Sequence, residues 1–324
     1  MHPVKLVCKK CQKTLFKQLC SPYNEEEIDG DAFPSSTPNM PHDKKMIHHY
    51  QVEKKIGEGG MGKIFLVTNT KTKKKEVLKL LKLENLENQE NLLPYFIREA
   101  QILEKLDHPY IVKFSGYGKI KDTPYLVMEF IEGKTLETVL KEEKKIKLSW
   151  TIPIISRLAN ALEYTESFNI IHRDLNPSNI ILMNENPKIP KIIDFGLAKS
   201  LVGHSQITRS GIMMGKIFYM PKEQIEDSKK ADFRSDIYAL GATCYEMISG
   251  QPPFYEFLTQ GKFAIMDAIL SGKLTPLRKL RPNLPSILYK IVEKAMALEP
   301  KNRYQVASEI RADIKELLLS ISRQ

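Results

Sequence analysis

The amino-acid sequence predicts an α+β fold in two unequal parts, a small antiparallel β-sheet with one helix followed by a larger, mainly helical part. From residue 50 to about 130, short strand-like runs of apolar residues are separated by glycine-rich and lysine-rich turns. After Gly133 the pattern changes to long segments of helical period, such as 149–168, where Ser149 is a suitable N-cap. The two parts are expected to meet near residues 129–133.

The size and composition fit a globular protein of one large domain or two ordinary ones. The chain has 324 residues, of which 42% are hydrophobic and 27% charged. No apolar run approaches the roughly 20 residues that cross a bilayer, and the N-terminus lacks a signal peptide, so we expect a cytoplasmic protein without a membrane segment. The formal net charge is +10, but the lysines are scattered, and we expect no nucleic-acid partner.

The first 47 residues differ from the rest and are expected to form an arm (1–20) and a flexible linker (21–47). Cys8, Cys11 and Cys20 in the arm have a spacing similar to the first knuckle of a zinc ribbon. Tetrahedral zinc needs four ligands, so a histidine or a second chain would have to complete that site. The alternative is a set of reduced thiols in a cytosolic arm.

The glycine cluster in GEGGMG is the first element with chemical meaning. Gly57, Gly59 and Gly62 fit G-x-G-x-x-G, and they lie between two predicted strands instead of opening a helix. Such a hairpin brings backbone N–H groups close to phosphate oxygens, because no side chain stands in the way. A simple glycine turn is the alternative.

Lys79 is a cation on the apolar face of a predicted strand, since Val77 and Leu81 share that face. A lysine is seldom buried without a partner. Glu99, at the inner edge of the apolar face of the next predicted helix, is the candidate partner.

HRDLNPSN (172–179) and DFG (194–196) contain residue types suited to phosphoryl transfer. Phosphoryl transfer requires positioning and charge neutralisation more than covalent chemistry. Asp174 can orient an attacking hydroxyl and accept its proton. Asn179 and Asp194 are hard oxygen ligands suited to Mg²⁺.

Taken in order, these motifs resemble those of eukaryotic-type (Hanks-type) protein kinases, especially the bacterial Ser/Thr kinases that carry GEGGMG. The resemblance covers residues 50–318 and implies a bilobal kinase domain over 50–320, with an N-lobe (50–130) and a C-lobe (131–320). It implies transfer of the ATP γ-phosphoryl group to Ser or Thr of a protein, with Mg²⁺ or alternatively Mn²⁺. The nucleotide-binding positions that it implies are Ile56, Gly57, Glu58, Gly59, Gly60, Gly62, Ile64, Val77, Lys79, Met128, Glu129, Ile131 and Ile181.

The same resemblance implies three structural contacts. Asp236 is expected to brace the catalytic loop, and Glu223 and Arg303 to form an ion pair that closes the activation segment. A stacked column is expected to link the two lobes through His172, Phe195, Leu103 and Phe114.

Two departures from the family pattern lie at the transfer site. Asn176 replaces a lysine that in the family touches the transferred phosphate and the catalytic Asp, and Lys216 stands where the family usually has threonine. We hypothesise that Lys216 restores the lost cation beside Asp174, with Asn176 as its hydrogen-bond partner. Asn176 also favours a pseudokinase that binds nucleotide without turnover. A small-molecule kinase of the aminoglycoside type is a further alternative, because its loop can also read D-L-N-P-x-N.

The resemblance further implies regulation by phosphorylation. Arg173 is expected to pair with a phosphate on the activation segment, where Thr208 and Ser210 are the candidate acceptors. Autophosphorylation in trans would involve a homodimer.

Overall fold

The computed structural model describes residues 46–59, 62–81, 96–97, 100–121, 123–184, 186, 188–195 and 215–322. Several residues that the sequence singles out lie outside these ranges: Cys8, Cys11, Cys20, Gly60, Glu99, Thr208 and Ser210. The expectations for these residues, and for the arm and linker, stay predictions.

The N-terminal part is a six-stranded antiparallel sheet. Its strands are β1 (Met46–Ile47), β2 (Tyr50–Gly59), β3 (Gly62–Asn69), β4 (Lys75–Leu81), β5 (Phe114–Ile120) and β6 (Thr123–Glu129), in the order β1-β2-β3-β4-β6-β5. Val67, Leu78 and Val127 from neighbouring strands are fully buried in one apolar cluster. Alternation along each strand therefore places one set of side chains in this cluster and the other on the opposite face.

A helix packs beside this sheet, and residues 96–97 and 100–104 of it are described as helical. Phe96, Ala100, Leu103 and Leu106 are each at most 2% exposed. The apolar face that the sequence predicts for this helix is therefore the buried face.

The C-terminal part is mainly helical. Its helices are α1 (Leu136–Glu143), α2 (Leu148–Ser167), α3 (Lys222–Glu226), α4 (Phe233–Ser249), α5 (Lys262–Leu270), α6 (Leu277–Leu280), α7 (Ser286–Ala295) and α8 (Ala307–Ser322). Helix α2 packs against both α4 and α8, and α7 packs against α4 and α8. Among the described residues, no helix is both long and apolar enough to cross a bilayer.

Helix α2 does not begin at the predicted cap. Ser149 is its second residue, and Lys147 is the N-cap without a side-chain cap bond. The N–H of the buried Ile146 donates to the carbonyl of Met247 (2.8 Å), and the carbonyl of Lys147 accepts the first helical bonds. This tertiary hydrogen bond sets the start of the helix and overrides the capping preference of serine.

A small second sheet positions the loops that carry the functional residues. It contains β7 (Gly133–Thr135), β8 (Ile180–Met183) and β9 (Pro190–Ile192). A Cβ atom on Gly133 would lie 2.2 Å from the carbonyl oxygen of Leu182, so this pairing requires glycine. The HRD loop ends where β8 begins, and Asp194 lies two residues after the end of β9.

Aromatic rings connect the two parts. The His172 and Phe195 rings lie 4.7 Å apart between centroids, and Phe195 contacts Phe114 edge-on at 6.4 Å. Leu103 is buried in the same apolar cluster as both phenylalanines. The arrangement agrees with the column expected from the family resemblance.

A buried ion pair anchors α3. The guanidinium of Arg303 donates two hydrogen bonds to the Glu223 carboxylate, at 2.7 and 2.9 Å. It also donates to the backbone carbonyls of Ala297, Leu298 and Arg234. The Arg303 side chain is 0% exposed, so its charge depends on these partners for compensation.

We predict that Glu223→Ala lowers the free energy of unfolding by about 3–5 kcal/mol, because it leaves the Arg303 charge buried and unpaired. Urea denaturation followed by circular dichroism measures this. The control is Glu163→Ala, which removes the exposed ion pair with Arg311 and should cost less than about 1 kcal/mol. Equal losses in the two variants would contradict the assigned role of the buried pair.

Candidate active site

One buried carboxylate holds the backbone of the catalytic loop. Asp236, on α4, is 3% exposed and accepts the backbone N–H groups of His172 (2.7 Å) and Arg173 (2.9 Å). Burial raises the pKa of Asp236 above its ordinary value, while His172 and Arg173 oppose that shift. Arg173 has a φ of +61°, a conformation that costs a non-glycine residue roughly 1–2 kcal/mol. The Asp236 hydrogen bonds help to offset this cost.

Asp174 lies next in the loop and is 6% exposed. Its carbonyl accepts hydrogen bonds from the side-chain amides of Asn176 (2.7 Å) and Asn179 (2.8 Å). Its carboxylate oxygen Oδ2 accepts from Asn179 Nδ2 (3.0 Å) and from Lys216 Nζ (2.8 Å). Several donors therefore fix the orientation of the carboxylate that the sequence assigns as the base.

Asn176 is 2% exposed and caps a short 3-10 turn, Pro177–Asn179. Its Oδ1 accepts from Ser178 N (3.0 Å) and Ser178 Oγ (2.6 Å), and its Nδ2 donates to Asp174. The hydrogen bond expected between Asn176 and Lys216 is not formed in the described structure, because both polar atoms of Asn176 have other partners. Instead, Asn176 and Lys216 each donate a hydrogen bond to Asp174.

Lys79 and Asp194 form an ion pair between the N-terminal sheet and the end of β9. Lys79 is 6% exposed, whereas the Asp194 side chain is 28% exposed. Asp194 has a φ of +58°, so it is a second non-glycine residue in the left-handed region within this site. Because Glu99 lies outside the described residues, its pairing with Lys79 stays a prediction.

Two oxygen atoms suit a hard cation. Asn179 donates its amide N–H₂ group to Asp174, so its Oδ1 has no hydrogen-bond partner among the described residues. Likewise, Lys79 takes one carboxylate oxygen of Asp194 and leaves the other without a protein donor in the described ranges. No group of three or more His, Cys, Asp or Glu side chains able to hold a metal occurs there. This donor set fits Mg²⁺, which is commonly held by one or two carboxylates together with substrate phosphates.

The glycine hairpin joins β2 and β3, and Gly57 pairs with Ile64, Glu58 with Lys63 and Gly59 with Gly62. Gly62 has a φ of +142°, and a Cβ atom there would lie 1.9 Å from the Leu80 carbonyl oxygen. Only glycine fits this position. The register shifts between Lys55 and Gly57, so Ile56 forms a bulge and is 44% exposed.

The predicted adenine-binding residues lie on adjacent strands and on the connection after them. Val77 of β4 is the partner of Met128 of β6, and Ile181 lies half-buried on β8. Ile131 is 9% exposed, and its N–H has no hydrogen-bond partner among the described residues, so it can donate to a ligand.

Two residues that the sequence analysis missed support these loops. Lys191 Nζ contacts the Glu129 carboxylate at 2.5 Å, and that carboxylate also accepts the N–H of Lys113. Gln224 donates its side-chain amide to the carbonyl of Arg173 at 2.8 Å. Neither residue has a local sequence pattern that indicates this role.

A family model, the protein kinase domain, matches residues 50–313. The chain belongs to the protein kinase family. A structure of a double mutant of the kinase domain of Mycobacterium tuberculosis PknI matches with a TM-score of 0.65, covering 86% of this chain and 99% of that domain at 21% identity. These findings confirm the bilobal kinase fold that the sequence predicts.

Several bacterial protein kinases are similar to this chain in sequence. The probable serine/threonine-protein kinase CPE1738 of Clostridium perfringens is 34% identical over 85% of this chain and 39% of its own length. The tyrosine-protein kinase MasK of Myxococcus xanthus is 34% identical (84% and 43%), and the serine/threonine-protein kinase PrkC of Bacillus subtilis is 31% identical (84% and 41%). The chain thus spans about two fifths of the length of these relatives.

A half-buried acid lies next to the cleft beside Asp174. The hydroxyl of Tyr219 donates to Glu246 on α4, and Tyr219 lines that cleft together with Lys216. Burial raises the pKa of Glu246 from its ordinary 4.5 to about 7, against the opposing effect of the Tyr219 hydrogen bond. The folded state therefore binds the Glu246 proton more tightly than the unfolded state does.

We predict that this proton contributes about 3 kcal/mol to stability below pH 4.5, and that the contribution is lost as pH rises through about 7. Glu246→Gln keeps an acceptor for Tyr219 and cannot ionise. Its free energy of unfolding should therefore rise relative to that of wild type as the pH increases from 5 to 8. Urea denaturation across this pH range measures the difference. Glu293→Gln, at an exposed position on α7, serves as control. Parallel pH profiles for wild type and Glu246→Gln would contradict the prediction.

Proposed function

We propose that the chain is an active protein kinase that transfers the γ-phosphoryl group of ATP to Ser or Thr hydroxyls of proteins. The observation that carries this proposal is a chain of contacts: Asn179 donates to the Asp174 carboxylate, and its carbonyl accepts the N–H of Ile193 (2.9 Å), which directly precedes Asp194 of the Lys79–Asp194 pair. These are the residue types that phosphoryl transfer requires for a base, a metal and the nucleotide phosphates.

Each group has one role in the proposal. The substrate hydroxyl oxygen forms a bond to the γ-phosphorus, the bond to the β,γ-bridging oxygen breaks, and its electron pair leaves with ADP. Asp174 orients the hydroxyl and receives its proton. Lys79, positioned by Glu99, holds the α- and β-phosphates, while Asn179 and Asp194 would hold Mg²⁺, which neutralises phosphate charge when bound. The same oxygen donors would also accept Mn²⁺.

The nucleotide would bind between the hairpin and the connection at 129–133. The N–H of Ile131 is available to donate to adenine, and Ile64, Val77 and Ile181 supply apolar surface on its two sides. The glycine hairpin, including Gly60, would approach the phosphates with its backbone.

The nature of the acceptor is argued from the loop sequence and the relatives. DLNPSN lacks the insertion that resembles AAR in tyrosine kinases, and two of the three relatives named above are serine/threonine-protein kinases. Because MasK is a tyrosine-protein kinase, tyrosine must also be tested as an acceptor for this chain. The strongest support for a rival without turnover is Asn176, which replaces a cation with a neutral amide.

Regulation by phosphorylation of the activation segment is also part of the proposal. The Nε atom of Arg173 is buried and has no hydrogen-bond partner within the described ranges. A phosphate on Thr208 or Ser210 would supply strong acceptors for this guanidinium. Transfer between two copies of a cytoplasmic protein would deliver that phosphate. A zinc site made by Cys8, Cys11 and Cys20 would be a separate docking element in the arm.

We predict that the purified wild-type chain with Mg-ATP phosphorylates itself and a general protein acceptor, and that Asp174→Asn lowers the rate by at least about 10²-fold, because the asparagine amide cannot accept the hydroxyl proton. Transfer of radiolabelled phosphate measures the rate. Phosphopeptide mass spectrometry then identifies the acceptor as Ser, Thr or Tyr and shows whether Thr208 or Ser210 is modified.

The control is Mg-ATP binding by both proteins, measured by calorimetry. Binding by the wild-type chain without any transfer would favour the pseudokinase. Transfer to an aminoglycoside with none to protein would favour the small-molecule kinase.

A further inference from the structure

We infer that Lys216 is the cation of the phosphoryl-transfer site and performs the electrostatic role that Asn176 cannot. The inference rests on the proposed function. Lys216, Asp174 and Asn176 line one cleft together with Arg173 and Gln224. The charge that the catalytic loop lacks is therefore delivered from another segment of the chain, 42 positions away from Asp174.

The fold fixes the position of this lysine. Lys216 directly precedes a 3-10 turn, Ile217–Tyr219, and its carbonyl accepts the N–H of Tyr219 at 3.3 Å. Ile217 and Phe218 are 0% and 4% exposed, so the core holds the backbone next to Lys216. The lysine side chain itself is 24% exposed, and its Nζ lies 2.8 Å from Asp174 Oδ2.

The ion pair places a full positive charge against the candidate catalytic base. Asp174 has a side-chain exposure of only 4%, so the Lys216 charge acts on it with less screening by water than at the surface. Asn176 is neutral, and its side chain is occupied as the cap of Pro177–Asn179. A Lys216 ammonium placed beside Asp174 is also placed beside the hydroxyl and phosphoryl groups that Asp174 serves.

The cation acts on charge that moves during the reaction. When Asp174 accepts the hydroxyl proton, its negative charge disappears, and negative charge is carried by the oxygens of the phosphoryl group in transfer. Lys216 keeps its proton throughout. Its anionic partner changes from the Asp174 carboxylate to the phosphoryl oxygens. An interaction that is stronger in the transition state than in the ground state raises kcat.

Steady-state kinetics of the full chain test this inference. Lys216→Met keeps the length and apolar stem of the side chain and removes the charge, so kcat should fall by on the order of 10²-fold, while the KM for ATP changes little. A cation restored by Lys216→Arg, or by adding Asn176→Lys to Lys216→Met, should recover at least about tenfold in kcat.

The matched control is Lys222→Met. Lys222 lies on the same segment, has a side-chain exposure of 26% and pairs with Glu299 at 2.6 Å, away from Asp174. It should keep wild-type kcat. The inference is overturned if Lys216→Met retains kcat within about twofold of wild type, or if neither cation-restoring variant recovers activity, since the lysine would then act through packing. A wild-type chain that binds Mg-ATP and transfers nothing overturns the proposed function as well.

Discussion

Two hydrogen bonds from the buried carboxylate of Asp236 to the backbone of His172 and Arg173 hold the catalytic loop, and the geometry of the candidate active site depends on them. The loop leaves the ordinary helical and extended regions at Arg173, where φ is +61°. A strained residue persists only where its surroundings over-determine it. Below the loop, α4 supplies that constraint; beyond it, the cap at Pro177–Asn179 directs Asn179 back to the Asp174 carboxylate.

The charges of the site are arranged as two lysine–aspartate pairs. Lys79 reaches Asp194 from the N-terminal sheet, and Lys216 reaches Asp174 from the segment before α3. Each of these four charges therefore has a partner, which limits the desolvation cost. Nucleotide phosphates and a metal would redistribute these partners. The same pairing explains how a chain with Asn176 in its loop can keep a cation at the transfer site.

Local motifs predicted much of this arrangement, whereas contacts between distant segments were harder to foresee. The sequence alone predicted the phosphate-handling motifs, because each motif is short and its chemistry depends on residue type. These motifs are the glycine hairpin, Lys79, Asp174 and Asp194. The prediction of Ser149 as the N-cap of α2 was wrong, because a tertiary hydrogen bond at Ile146, rather than a capping side chain, fixes the start of this helix. The paired departures at the transfer site predicted that Lys216 lies near Asp174, but not that Asn176 turns away to cap its own turn. The Lys191–Glu129 contact has no sequence signal, because two scattered charges among many do not reveal which of them meet.

If Asp236 holds the loop in the geometry needed for transfer, its replacement must slow phosphoryl transfer. The decisive measurement is the phosphoryl-transfer rate of Asp236→Asn at a temperature well below the unfolding midpoint of this variant. Asparagine has the same size but one acceptor oxygen, so one buried N–H of His172 or Arg173 loses its partner, at a cost of about 1–3 kcal/mol. We predict a folded protein whose kcat is at least about tenfold below wild type. A folded variant with the wild-type rate would contradict it.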